Sequence, residues 1–339
     1  MQASAKTAIA RGRRAEERGA RGRRAEERGA RGGFATLYQK ELADHFRSAR
    51  FKLLFVLLTL TSLASLFGAF DSLMSSQTSE YVFLSMYTSS GSSIPSFASF
   101  LAYLSPLVGL ALGFDAINRE RSQGTLTRLI SQPIHRDAVI SAKFLAGALA
   151  ILMLVFFEGV LVGGVGLVVV GVPPTGEDLL RLCSYLLLTA FYTMLWLGLA
   201  MLFSVLCKHA ATSALIVIAL WIYLTVFPSM VASVVANLCY PLDGIQGYYN
   251  TLSNYELQLG LERCSPYYLY SEAATTLLNP DVRFIGFTTT DALAGALSGT
   301  LSFGQSALLV WPHLVCMVAL ALLAFAVSYI VFMRQEVRA

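Results

Sequence analysis

The chain has 339 residues, of which 55% are hydrophobic and 14% charged, with a net charge of +4 and a mean hydropathy of +0.61. A chain of this size is too apolar to be soluble, and the composition identifies an integral membrane protein, whose long apolar runs, taken below, make it all-α. Several chemistries are excluded by missing motifs: there is no G-x-x-x-x-G-K-S/T phosphate loop, no H-E-x-x-H and no G-x-S-x-G. Five cysteines form no CxxC pair, and Cys207 with His209 has no second pair to complete a metal site. The chain itself is therefore expected to carry no catalytic residue and to bind no metal or cofactor.

Residues 11–20 and 21–30 repeat one decapeptide, Arg-Gly-Arg-Arg-Ala-Glu-Glu-Arg-Gly-Ala. A tract without large apolar residues buries no core, so residues 1–33 are expected to be disordered. An Arg-rich arm for anionic lipid or nucleic acid is the other reading. Glu16, Glu17, Glu26 and Glu27 dilute its charge and no aromatics interleave it. A solvated tail is the better account, and no nucleic acid partner is expected. The first apolar run starts near residue 53, behind this charged leader, which argues against a cleavable signal peptide.

From residue 34 to 51, Phe34, Tyr38, Leu42 and Phe46 recur at helical spacing among Lys40, Glu41, Asp44, Arg47 and Arg50. That pattern predicts an amphipathic helix lying at a membrane surface. Apolar runs then predict six spans, at about 53–70, 98–117, 139–170, 179–206, 211–237 and 306–333. Lys and Arg assign their direction. Of 25, all but Arg181, Arg263 and Arg283 fall on the side of both termini. The positive-inside rule therefore places both termini in the cytoplasm and the 238–305 segment outside a plasma membrane. Within that outer segment, Ser265-Pro266 is an N-cap followed by Pro at the first helical position, and Asn279-Pro280 is a stop. Tyr267, Tyr268 and Tyr270 suit a helix at the outer interface. Cys239 and Cys264 share that oxidising side, and a disulfide between them is open at this stage.

Glu158 lies near the middle of the third run with no charge within a dozen residues. A buried lone carboxylate is costly, which favours a pathway residue facing the bundle interior. The alternative is a polar neighbour at an irregularity near Gly159, Gly163 and Gly164; both readings stay open. These glycines, with Gly166 and Gly171, also permit close helix packing. His313, beside Trp311-Pro312, reads as a packing residue.

Residues 118–137 form a charged island between the second and third runs, and so sit at a water interface. Gly124 ends the preceding helix, Thr125 is an N-cap, and Leu126, Leu129 and Ile130 give one short turn an apolar edge before Pro133. Asp115, just before it, is spaced to pair with Arg119 one turn on, and a merely solvated helix end is an equally economical reading. Glu120, Gly124-Thr125-Leu126, Leu129-Ile130, Pro133, Arg136 and then Lys143 follow in an order that resembles the cytoplasmic loop of ABC-2 type ATP-binding-cassette exporter permeases. Lys40-Glu41-Leu42 and Arg47 are similar to that family's interfacial helix, and the resemblance extends over residues 34–338.

The resemblance implies a type V exporter-like architecture: one transmembrane domain of six helices with an N-terminal interfacial helix. It further implies that residues 118–137, with Arg128 among them, are a coupling loop held in a groove of a separate ATPase subunit. ATP and Mg would be bound by that partner, and a second permease copy and membrane lipid would be the other partners. The function it implies is the permease subunit of an exporter. The alternatives are an ion-coupled secondary transporter, which should show more intramembrane ionisable residues than Glu158, and a non-transporting membrane anchor or sensor. Nothing in the residues selects a substrate.

Overall fold

The computed structural model describes residues 33–70, 82–89, 94–124, 136–279 and 301–334. All regular structure among them is helical. The Arg/Glu/Gly repeat and residues Thr125, Leu126, Arg128, Leu129, Ile130 and Pro133 lie outside the described residues.

Residues 33–47 form α1. Among the described residues six helical segments are long and apolar enough to cross a membrane: α2 (Ala49–Gly68), α4 (Phe97–Gly113) continuing into α5 (Asn118–Ser122), α6 (Arg136–Val170), α7 (Gly176–Leu206), α8 (Ala210–Cys239) and α11 (Phe303–Arg334). Three shorter helices also lie among the described residues: α3 (Val82–Thr88), α9 (Gly244–Glu262) and α10 (Pro266–Leu278). At 1.5 Å per residue the 35-residue α6 is about 52 Å long, well beyond a hydrocarbon core of about 30 Å, so it projects past the membrane.

Ser and Thr residues start four of the helices by accepting orphan N–H groups. Ser48 caps α2 from Phe51, Ser96 caps α4 from Ser99, and Ser265 caps α10 from Tyr268 with Pro266 in the first turn. Thr175 and Asp178 form a reciprocal capping box at α7. The start of α5 has no cap of its own. Ser204 of α7 supplies one, accepting from Ile117 N at 3.0 Å and Asn118 N at 3.2 Å.

The centre of the bundle is α7. Of its most apolar window 72% is buried, against 6% for α8, which lies at the edge of the bundle. Trp196, Tyr185 and Tyr192 are fully buried on α7. Close approach is made by glycine. A Cβ at Gly109 would meet the backbone N of Leu197 at 2.8 Å, and one at Gly113 would meet Leu197 O at the same distance. Gly109-x-x-x-Gly113 therefore brings α4 and α7 into backbone contact. On α6, Gly159 faces Leu186, Gly163 faces the Tyr87 hydroxyl and Gly166 faces Met86, as the glycine pattern predicts, whereas Gly164 faces open space.

Prolines inside the spans leave carbonyls without a helical donor, because Pro lacks an N–H. Pro106 frees Ala102 O, which accepts from the Tyr192 hydroxyl at 3.4 Å. Pro228 frees Leu224 O, midway along α8, and Ser265 Oγ donates to it at 2.6 Å. That second bond fixes a hairpin folded back along the bundle. Helix α9 turns back along α8, with Asn254 Nδ2 donating to Asn237 Oδ1 at 2.9 Å and Tyr240 O at 2.8 Å, and α10 returns along α7.

This hairpin bears on the cysteine pairing left open above and corrects one expectation. Cys239 and Cys264 are free. Cys264 adjoins Ser265 at the level of Leu224, fifteen residues along α8 from Cys239 or about 22 Å, several times a disulfide's Cα span. Helix α10 forms where its cap and stop predict, yet Tyr270 points inward: its fully buried ring stacks on Tyr192 at 4.5 Å between centroids.

Candidate functional site

The charged residues gather at the end of the bundle that carries α1. Leu37 of α1 is buried against Val139 and Ala142 at the start of α6, with Phe34 and Tyr38 beside it. The face so buried also takes in Glu41, while Phe46 at the end of the predicted apolar stripe is exposed. The reason is electrostatic. Lys143 Nζ of α6, itself buried, donates to Glu41 Oε2 at 2.8 Å and to Glu120 Oε1 of α5 at 3.3 Å. Lys40 adds contacts to Glu41 at 3.3 Å, Asp44 at 3.8 Å and Glu120 at 4.0 Å. Burial lowers the Lys40 pKa, but Glu41, Glu120 and Asp44 outweigh it and hold the ammonium above its ordinary value. One ammonium, Lys143, thus ties α1 and α5 to α6.

A second pair fixes the neighbouring corner. Arg50 Nη1 of α2 donates to Asp115 Oδ2 at 2.6 Å, and its guanidinium lies 4.8 Å over the Phe114 ring. The partner of Asp115 is therefore Arg50, and not Arg119 as the spacing suggested. The aromatic face under Arg50 makes the tertiary pair the better one. Between these corners opens a cleft of about 960 Å³, reaching from Lys40 and Asp44 across Asp115 and Arg119 to Lys208 and His209. His45 on its wall has its pKa lowered by burial.

The expected coupling residues divide accordingly. Glu120 belongs to the cluster. Gly124 follows α5 with φ +66°, a left-handed conformation that glycine adopts without strain and that ends the helix. Arg136 opens α6 and lies 5.6 Å over the Phe332 ring of α11. On α1, Lys40 and Glu41 join the cluster, Leu42 packs on the main core and Arg47 is exposed.

Glu158 is wholly buried in an unbroken α6, where Thr59 Oγ1 of α2 donates to its Oε1 at 2.7 Å. Its polar neighbour comes from another helix and needs no irregularity.

Two charged groups missed by sequence reading hold the hairpin at the opposite end of the bundle. Arg181 of α7 is fully buried. It donates to Glu177 Oε1 at 2.9 and 3.0 Å, to Leu277 O at 3.3 Å, to Ser306 Oγ at 3.1 Å and to Leu301 O at 2.5 Å, joining α7, α10 and α11. Glu272 of α10 receives Arg263 Nη2 at 2.8 Å and Nε at 3.1 Å, and pairs with His313 Nε2 of α11 at 2.8 Å. Burial raises the Glu272 pKa, but the bonds from His313 and Arg263 outweigh it and hold the carboxyl below its usual range. The Glu177/Arg181 i, i+4 spacing was a readable signal for the first group. No local spacing marks the second. Among the described residues no group of three or more His, Cys, Asp or Glu is placed to hold a metal ion.

Residues 35–337 match the sequence profile described as ABC-2 family transporter protein. A similar curated protein is the probable ABC transporter permease protein NosY of Stutzerimonas stutzeri, 36% identical over 69 residues. Those residues are 20% of this chain and 25% of that relative, so the alignment spans only a quarter of its length. The matched profile covers nearly the whole of the six-helix bundle and the charged cluster at its α1 end, and the chain belongs to the ABC-2 family of transporter membrane proteins.

Proposed function

We propose that the chain is the membrane-spanning permease subunit of an ATP-driven exporter, coupled to a separate ATP-binding-cassette ATPase through residues 118–137. The observation that carries this reading is the Lys143 bridge. Glu120 stands just before the undescribed 125–135 segment and Lys143 just after it, and Glu41 of α1 closes the same ion cluster. A push on Leu126, Leu129 or Ile130 would therefore reach α1, α5 and α6 together. A shared ion cluster moves as a unit, whereas a loop tethered by its chain alone would absorb the motion.

On this reading the α1 end faces the cytoplasm of a plasma membrane, both termini lie there, and α1 rests on the headgroup layer, in keeping with the Lys and Arg asymmetry of the sequence. ATP and Mg belong to the partner, this chain performs no hydrolysis itself, and a second permease copy completes the pathway about a two-fold axis. The test is capture of the tagged chain from mild detergent beside a Leu129→Asp/Ile130→Asp variant that reaches the membrane equally well. Recovery of an ATP-binding-cassette subunit with the parent and its loss with the variant is expected. A folded, dimeric parent that recovers no such subunit would move the weight to a secondary transporter or a membrane anchor.

A further inference from the structure

At the heart of the bundle α2, α4, α6 and α7 meet around an enclosed cavity of about 10 Å³, lined by Glu158, Ser105, Thr193 and apolar side chains including Leu58, Leu101 and Leu154. Its polar groups are incompletely bonded. Glu158 Oε1 accepts from Thr59 and the Ser62 hydroxyl lies near the same carboxyl, but Glu158 Oε2, Ser62 Oγ and Ser105 Oγ are each buried without a direct hydrogen bond. Thr193 donates its hydroxyl proton to Thr189 O at 2.7 Å, which leaves lone pairs on its oxygen. Glu158 and Ser105 are each at least nine-tenths buried. A buried polar atom left bare costs the desolvation of that atom, and a carboxyl oxygen is among the costlier ones.

We propose that this cavity is a binding site for one water molecule, bridging Glu158 Oε2 to Ser105 Oγ with Thr193 Oγ1 as a third partner. Its volume is at the threshold for one water and excludes a larger ligand, and three polar partners match what a buried water ordinarily has. Water also fits because it both donates and accepts, so it serves the carboxyl oxygen in either protonation state. Helices α2, α4, α6 and α7 are then joined at mid-bundle through Thr59, Ser105, Glu158 and Thr193. This gives Glu158 a task distinct from contact with an exported substrate, and the inference stands whether or not the export reading does.

The first test is a structure of the full chain, in its complex in lipid nanodiscs, at a resolution that shows ordered water. A single solvent peak within hydrogen-bond reach of Glu158 Oε2 and Ser105 Oγ is expected. An empty cavity, or Glu158 Oε2 bonded directly to the hydroxyl of Ser105 or of Ser62, overturns the proposal. The second test has opposite signs for a wet and a dry cavity. Ser105→Val fills the space with apolar atoms. If water is displaced, Glu158 Oε2 is stranded and the thermal midpoint falls by about 2 °C or more. If the cavity is dry, filling it and removing an unpaired hydroxyl raises the midpoint. A rise sinks the proposal.

Discussion

Lys143 is the residue on which the proposed coupling end turns, because it is a buried ammonium shared by Glu41 and Glu120. Removing one partner of a buried pair strands the other, at a cost of about 3–5 kcal/mol. Lys143→Ala is therefore expected to lower the thermal midpoint markedly, and the loss should shrink when Glu41→Gln and Glu120→Gln are added. An equal loss in the triple variant would show that the carboxylates are not the stranded partners. At the other end Glu272 makes a pH prediction. Its folded pKa is held below the usual carboxylate value, so its contribution is fully present above about 4.3 and is lost as pH falls through the depressed folded value. Glu272→Gln should remove that contribution at neutral pH and flatten the acid limb of a stability profile against pH. An unchanged acid limb would assign acid sensitivity elsewhere. Residue types and local spacing announced Glu120, Lys143 and Glu158, but not their partners. The Lys143–Glu41 pair spans 102 positions of chain and Thr59–Glu158 spans 99, distances over which periodicity carries no information.

Among the elements, the six spans were legible because each is a long apolar run with its own cap or charged flank. The α9–α10 hairpin was legible only in part. Ser265-Pro266 marked where α10 starts, but that Ser265 docks onto the carbonyl freed by Pro228 is a tertiary match between two separate breaks in regular structure. Ser265→Ala removes both the α10 cap and the donor to Leu224 O, and is expected to cost about 1–3 kcal/mol and loosen the hairpin. Faster proteolysis or hydrogen exchange confined to residues 244–278 would show this; unchanged exchange there would remove the anchoring role. The α4–α7 seam gives a cleaner contrast. Gly109→Ala drives a Cβ into the Leu197 backbone, whereas Gly164→Ala meets nothing within 4 Å. The first should cost about 1–3 kcal/mol and the second close to nothing by thermal unfolding. Equal effects would mean that the seam is looser than the contact distances require.

For the molecule as a whole, the bundle presents one end built from ion clusters around a 960 Å³ cleft and another built from a folded-back hairpin clamped by Arg181 and Glu272. Family membership and the multi-pass helical fold are established by the profile match and the helices themselves. The direction of the chain in the membrane rests on its Lys and Arg asymmetry, and the proposed ATPase contact rests on residues 118–137. The most direct test is photo-crosslinking in intact membranes, with a crosslinking amino acid in place of Leu129 or, at the far end, of the exposed Tyr248. The account predicts an adduct between an ATP-binding-cassette ATPase and the chain modified at position 129, and none from position 248. An ATPase adduct from position 248 with none from position 129 would contradict it.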